Sequence, residues 1–481
     1  MLSRMHSFLT GFTPPEPAIP KDRHRIPCAG LDLEARDVVL TNGLVIDKRL
    51  DVEKLEKTLF TLVQTKFPRA GARLALVNGT YEFQIPHRFD ANTPPVLFTT
   101  ENYDESYSSP DRPTIPICSR QPSAQPMPLL QQYFRSKGCP TSLDGFLKPD
   151  VPLVHVHVTT FNDLSFVGIT SSHVTFDAMG TGIFLRTWTR IINGEDDDSI
   201  PEMPWDAAPF ESFKGKNVSN RKGWFDLGFF SKLNFIARFV YRILRDREEV
   251  ARLVCVPKTF LDAAKEEINN QLRLEGSQEW VGSVDVLMAW WYKTAYAHRS
   301  PKDTTPIHIH MPMDLRGFPV FPGNAKLSIS YINNSALSIA IPPIPANAFR
   351  TESLASLALR IRRAILGYTA DLNWMRAAVH FRCAYPFKDV FPAPPGAEYA
   401  MLSSWRAAKF TELDFSGACS SASAEGPRVL AMFGYPFSGK SIPLRDTGAL
   451  FNEDAEAFWM GQVKGRKEWE RIRGSGGLEF L

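Results

Sequence analysis

The run His173-Val174-Thr175-Phe176-Asp177 pairs an imidazole with a carboxylate four positions on. A neutral imidazole within hydrogen-bond reach of an alcohol or amine can take its proton during attack on an acyl carbon. That contributes about 10²–10⁴-fold to the rate. A thioester needs no metal for this attack. The site has only to hold donor and acceptor together and to stabilise the oxyanion. The spacing by itself is a weak signal. The chain has ten histidines, so a chance match is expected, and His310-Met311-Pro312-Met313-Asp314 is a second match.

Context separates the two. The first follows the apolar stretch LSFVGIT and precedes Ala178-Met179-Gly180-Thr181-Gly182. Small residues there let a ligand or another backbone approach closely and permit unusual dihedrals. A strand end facing a gap is where catalytic side chains gather. The second match has Pro312 inside it and Arg316 two residues after Asp314. That spacing suits an ion pair, with His310 in a strand interior. His173 is therefore the candidate general base. Asp177 is the candidate residue that fixes its loop and ring.

His155-Val156-His157 and His308-Ile309-His310 are H-x-H pairs on strands, with no carboxylates or cysteines at ligand spacing. No metal site is expected. GxSxG and Walker A motifs are absent, and no GxGxxG follows a strand.

These residues need elements to position them. Residues 151–170 read as two strands around Phe161-Asn162-Asp163, and IFLRTWTRII reads as a buried helix. Asp51 can cap a helix with Val52, Leu55, Leu59, Leu62 and Val63 on one face, ending before Pro68. Residues 100–128, rich in Pro and Ser, read as a long surface connection. Residues 192–210 are acidic, then Pro-rich, and are the candidate link between domains. GFFSKLNFIARFVYRILRD is amphipathic. Polar residues interrupt it at helical spacing, so it reads as a helix packed on the protein body, with a membrane-surface helix as the alternative. Further on come a strand (ARLVCVP), a helix capped by Thr259, a helix from Ser283, strands IHIHMPMD and LSISYINNSALSIAI, and a helix capped by Thr351. In that last helix Leu354, Leu357, Ile361 and Ile365 share a face. Strands and helices mix in both halves, which means an α/β or α+β fold.

With 481 residues the chain exceeds one ordinary core, so two domains are expected. The formal net charge of +3 and the absence of a basic tract argue against nucleic acid. No apolar run of spanning length occurs, and the start, MLSRMHSFLTGFTPPEP, does not read as a signal peptide. Six scattered cysteines without a CxxC pair point to reduced, buried thiols in a cytoplasmic protein.

Taken in order, the segments resemble the BAHD acyltransferases, particularly the fungal, trichothecene acetyltransferase-like branch. LDVEKLEKTLFTLVQTKFPRAGARL is similar to the family's N-terminal helix and turn, and SSHVTFDAMGTG to its HxxxDGxG motif. PEMPWDAAPF is similar to the Pro-rich crossover, and SVDVLMAWWYKT to a central helix. MDLRGFPVFPGN resembles the D-x-R…GN segment, and SSWRAAKFTELDFSGA the S-W…DFGWG region. The tail NEDAEAFWMGQVKGRKEWERI looks like the closing strand and helix.

The resemblance implies two chloramphenicol acetyltransferase-like domains with a tunnel between them. They would span residues 1–194 and 223–481, joined by 195–222. His173 would be the base in mid-tunnel, acting in a ternary complex. Asp177 would point away from substrate and hold the loop by pairing with an arginine. Arg316 and Asp414 would form a distant structural salt bridge. Ser403 and Trp405 would lie near the acceptor, the Ser403 hydroxyl steadying the oxyanion. Gly180 and Asn324 would be backbone-packing positions. Acyl-CoA, commonly acetyl-CoA, would be the co-substrate, with no tightly bound cofactor. The acceptor would be a small secondary metabolite, and the protein a cytoplasmic monomer without membrane or nucleic-acid partners. Two departures stand out: Ala178 replaces a glycine, and Asp414-Phe415-Ser416-Gly417-Ala418 replaces DFGWG. The alternatives are a condensation-type domain using carrier-protein donors and an inactive binding protein on this fold.

Overall fold

The computed structural model describes residues 22–109, 111–215, 218–219, 223–226, 228–388, 390–394, 396–419, 426–438 and 445–481. The N-terminal stretch, which does not read as a signal peptide, lies outside them.

Two large sheets organise the chain. The first has five strands in the order Val429–Ser438, Val38–Ile46, Ser165–Ser172, Val154–Thr160, Leu97–Asn102. The second has eight, in the order Ala336–Pro345, Pro306–Asp314, Glu398–Ser404, Thr447–Glu453, Ala457–Gly465, Glu249–Pro257, Ser123–Pro126, Glu479–Phe480. Both mix parallel and antiparallel pairs. The fold is mixed α/β, as expected. Each sheet takes a strand from the other half of the chain. Val429–Ser438 pairs with Val38–Ile46, and Ser123–Pro126 pairs with Glu249–Pro257. The stretch 100–128 is thus a connection that carries a strand in its final residues.

The central strands of the first sheet are buried along their whole length, so the histidines that alternate with valine in Val154–Thr160 and the serines of Ser165–Ser172 lie inside as well. Helix Val52–Thr65 forms as read, with Asp51 Oδ1 accepting the Lys54 N–H at 3.0 Å and Leu55, Leu59, Leu62 and Val63 buried. Helix Ala178–Ile192 packs beside it and donates the Trp188 indole N–H to Thr58 Oγ1 at 3.1 Å.

Several boundaries differ from the pattern reading. Helix Lys258–Leu274 starts after Pro257, so Thr259 lies inside it. Ser353, not Thr351, caps helix Leu354–Ala370 by accepting the Ser356 N–H, because Thr351 already closes a short preceding turn of helix. LSISYINNSALSIAI is not one strand. Asn324 caps a short helix, Ala325–Ser330, then irregular chain precedes strand Ala336–Pro345. Helix Phe229–Arg245 exists, but its apolar stripe faces solvent instead of the body. Its arginine side is the anchored one: Arg238 Nη1 donates to Gly396 O at 2.9 Å, and Arg242 pairs with Asp446. No helix among the described residues is long and apolar enough to cross a membrane.

Candidate active site

Strand Ser165–Ser172 delivers His173. The His173 N–H donates to Val38 O at 2.9 Å, which extends the pairing one residue past the strand. The chain then turns, with Thr175 N–H on Ser172 O at 2.9 Å. Asp177 adopts extended backbone and caps helix Ala178–Ile192, accepting the Gly180 N–H at 2.6 Å. The imidazole is half-buried, and its Nδ1 is buried with no hydrogen-bond partner.

Asp177 does not orient that ring. Its carboxylate is 6% exposed and already occupied. Arg316 donates to both oxygens at 3.1 Å, and the Ser335 N–H adds 2.8 Å to Oδ2. The fork is the bidentate geometry that makes such pairs strong. Arg316 also reaches Asp314 Oδ1 at 2.6 Å and donates Nε–H to Tyr331 O at 2.8 Å. Asp177 is thus a positioning residue on the far side of the turn.

The expected Arg316–Asp414 pair does not form. Arg316 serves the first turn of helix Ala178–Ile192. Asp414 sits at its other end, accepting from Asn193 Nδ2 at 3.1 Å. A helix of 15 residues separates these ends by about 22 Å. The altered DFSGA segment instead clamps that C-terminus. Gly417 donates to Asn193 Oδ1 at 2.7 Å, and a side chain there would meet Ile192 O at 2.2 Å. Phe415 packs edge-on against Trp188.

The close approach expected along Ala178–Gly182 is backbone on backbone. A Cβ at Gly180 would stand 1.9 Å from Ile332 O, so only glycine fits. None of these residues has a positive φ. Ala178, at the first helical position, is half-buried, and the missing glycine is not needed there. Asn324 is remote from this network. It is exposed and caps its own short helix.

Ser403 and Trp405 lie on or just beyond strand Glu398–Ser404 of the other sheet. Trp405 is a packed aromatic, 9% exposed, against Phe451 and the bare backbone of Gly434. Its indole N–H donates to Ser403 Oγ at 3.0 Å, which leaves the hydroxyl proton of Ser403 free to donate elsewhere. The second match behaves as read: His310 is buried with Nε2 at 2.5 Å from Pro392 O, and Asp314 pairs with Arg316. His155 is buried and held neutral, its pKa pushed down to about 4 by burial. Among the described residues no cluster of His, Cys, Asp and Glu could hold a metal. The six cysteines are free thiols; three are buried and three only partly so.

Pattern reading missed the residues that shape the histidine turn. Asn334 Nδ2 lies 2.9 Å from His173 O and 3.1 Å from Val174 O. Asn333 Nδ2 donates to Thr175 O at 3.0 Å, while its Oδ1 accepts from Arg69 at 3.1 Å. Three successive carbonyls of the turn are thus held by two adjacent side chains. Asp32, fully buried, accepts the Asn334 N–H at 3.1 Å and the Ala29 N–H at 2.8 Å. The available signal was Asn-Asn inside a supposed strand, where neither residue is favoured.

Burial pushes the Asp32 carboxyl up from 3.8 to about 6, with its hydrogen bonds and Arg69 opposing. A carboxyl raised on folding lends stability that is full below its unfolded pKa and lost as pH rises through the folded one. Between pH 4 and 6 the wild type should therefore lose about 2 kcal/mol relative to Asp32→Asn. Urea melts of both proteins across that range measure the difference; parallel curves would refute it.

Two cavities flank these elements. One, of about 310 Å³, is lined by Asp32, Arg69 and Tyr331. The other, of about 1150 Å³, is lined by Lys258, Ser404, Arg406, Lys409, Arg428 and Glu453, among others. His173 lines neither.

The description "Transferase family" matches residues 141–420, well over half of the chain and all of the residues from His173 to Asp414. The chain belongs to this family of BAHD-type acyltransferases. Among the family's named proteins, acetyltransferase adrJ of Penicillium roqueforti is 27% identical over 436 residues, covering 85% of each chain. Transcriptional regulator calD of Penicillium decumbens is also 27% identical, over 463 residues and 91% of each. In three dimensions this BAHD-type chain superposes on TRI101 of F. sporotrichioides, solved with coenzyme A and T-2, with a TM-score of 0.64. That match covers 94% of this chain and 97% of TRI101 at 13% identity, which speaks for the fold alone.

Proposed function

We propose that this BAHD-type acyltransferase moves an acyl group, acetyl in the first instance, from acyl-CoA to a hydroxyl or amine of a small secondary metabolite, with His173 as general base. The observation that carries the reading is the histidine turn. Every backbone carbonyl from His173 to Thr175 is fixed by a side chain, while the imidazole itself is left with an unpaired Nδ1. Buried ring nitrogens without a partner also occur at His155 and His298, so the fixed turn at a strand end, and not the bare nitrogen alone, supports the reading. Asp177 and Arg316 then position the turn, and Ser403 has a proton to offer an oxyanion.

The 1150 Å³ cavity suits the phosphate-bearing half of coenzyme A. Lys258, Arg406, Lys409 and Arg428 line it beside Glu412, Glu453, Asp454 and Glu456, and each cation has a carboxylate partner: Glu453 for Lys258 and Arg406, Glu412 for Lys409, Asp47 for Arg428. Phosphates would take the place of Glu453, Glu412 and Asp47 as counter-charges. A tunnel from there to His173, with the acceptor entering opposite, completes the proposal. In it the domains meet across the 195–222 link.

Turnover should be seen with acyl-CoA and not with acyl-carrier protein. The Lys409→Ala/Arg428→Ala double variant should raise the KM for acyl-CoA about tenfold at unchanged kcat. Competing-donor assays with mass spectrometry of the products check both. Exclusive use of the carrier-bound donor would favour the condensation-type alternative.

One observation favours a second reading, a non-catalytic binding protein: the relative named transcriptional regulator aligns over 91% of the chain. Thermal stabilisation by coenzyme A without turnover across a broad acceptor panel would support it.

A further inference from the structure

Helix Phe229–Arg245 is inverted relative to an ordinary surface helix. Phe229, Leu233, Ile236, Val240 and Leu244 recur at steps of four and three, forming one stripe about 22 Å long. All five are exposed, from 46% to 73%. Phe230 and Tyr241 widen the stripe at 82% and 61%. Monomeric proteins rarely leave such a patch bare. The helix is not loose: Arg238 and Arg242, one turn apart, tie its opposite side to Gly396 and Asp446. The apolar face is held outward.

Charge indicates what covers it. Phe229–Arg245 contains no acidic residue; Arg238 and Arg242 are engaged with the body, which leaves Lys232 and Arg245 as its other cations. Arg245 and Arg247 are exposed at its C-terminal end. The acidic residues around it are already engaged. Asp226 pairs with Lys388, Glu248 with Arg466 and Glu249 with Arg445, and Asp246 accepts the Lys467 N–H. Two copies meeting through this helix would set like charges together. An anionic lipid surface offers both an apolar layer for the stripe and counter-charge for the cations.

We infer that helix Phe229–Arg245 seats the protein on anionic membrane surfaces, lying in the headgroup layer with Phe229, Leu233, Ile236, Val240 and Leu244 inserted. The attachment is peripheral and reversible, and it is independent of the acyl-transfer reading.

The test is flotation of the full chain with vesicles of phosphatidylcholine containing about 30 mol % phosphatidylserine. Wild type should float with the vesicles, less so in high salt or with phosphatidylcholine alone. Leu233→Glu/Leu244→Glu should cut the bound fraction about tenfold or more. Both positions are exposed, so an unchanged melting temperature is expected. Leu274→Glu, at an 89% exposed apolar residue elsewhere, should leave binding unchanged. Absence of wild-type flotation overturns the inference, and so does flotation that the double variant leaves intact. A dimer in light scattering that the double variant breaks, with no vesicle capture, would also overturn it and make the face a self-interface.

Discussion

His173→Ala is expected to lower kcat by about 10²–10⁴-fold while the protein melts as the wild type does. The two halves of this expectation have separate grounds. Chemistry is lost because, among the described histidines, only His173 stands on the turn that ends strand Ser165–Ser172; His298 also has a buried Nδ1 without a partner but follows helix Ser283–Tyr296. His155 and His310 are buried and His157 is tied to Thr99 Oγ1 at 2.8 Å. The fold is kept because position 173 is held by its backbone, through Val38 O and Asn334 Nδ2, and alanine retains both contacts. The lost ring leaves no partner behind, since its buried Nδ1 had none. His310→Ala should do the reverse, costing stability through the loss of its contact with Pro392 O while the folded fraction remains active. Steady-state kinetics beside thermal melts separates the pair. A dead His310→Ala with an active His173→Ala would end the assignment.

Arg316→Met should cost about 3–5 kcal/mol, the usual penalty for stranding a buried partner charge. The guanidinium is fully enclosed and serves Asp177, Asp314, Tyr331 O and Asn333 O together. Burial already pushes the Asp314 carboxyl up, with Arg316 opposing it. Without the cation that opposes it, burial pushes the Asp314 carboxyl up further, so the deficit should shrink as pH falls. Arg316→Lys keeps the charge but not the fork, and should recover only part of the stability. Activity should fall in both variants, because Asn333 and Asn334 lose the support that aims them at the histidine turn. Urea melts at several pH values, with kcat measured in parallel, test this. Wild-type stability in Arg316→Met would show the network to be dispensable.

Much of the site was legible because its informative features are local. An apolar run, a histidine, small residues and an amphipathic run follow one another in sequence, and that order is a strand, a turn and a capped helix. What joins the site across space was not legible. Arg316 could be seen to have a nearby aspartate, but nothing local tells that its fork crosses to Asp177, 139 residues away. The Asn333-Asn334 step was absorbed into an apolar pattern that is in fact helix, irregular chain and strand. Helix Phe229–Arg245 had a clear apolar face, but periodicity does not say which way a face points. Its direction is set by Gly396 and Asp446, which belong to distant parts of the chain.

The exchange of strands between the sheets bears on how the molecule can be taken apart. Each half contributes a rung to its counterpart's ladder, so the pieces are clasped as well as tethered. A nick between helix Ala178–Ile192 and strand Glu249–Pro257 would leave both exchanged strands paired. Gene fragments ending there would each lack a strand that only the other supplies, and such a half left alone presents a bare sheet edge for aggregation.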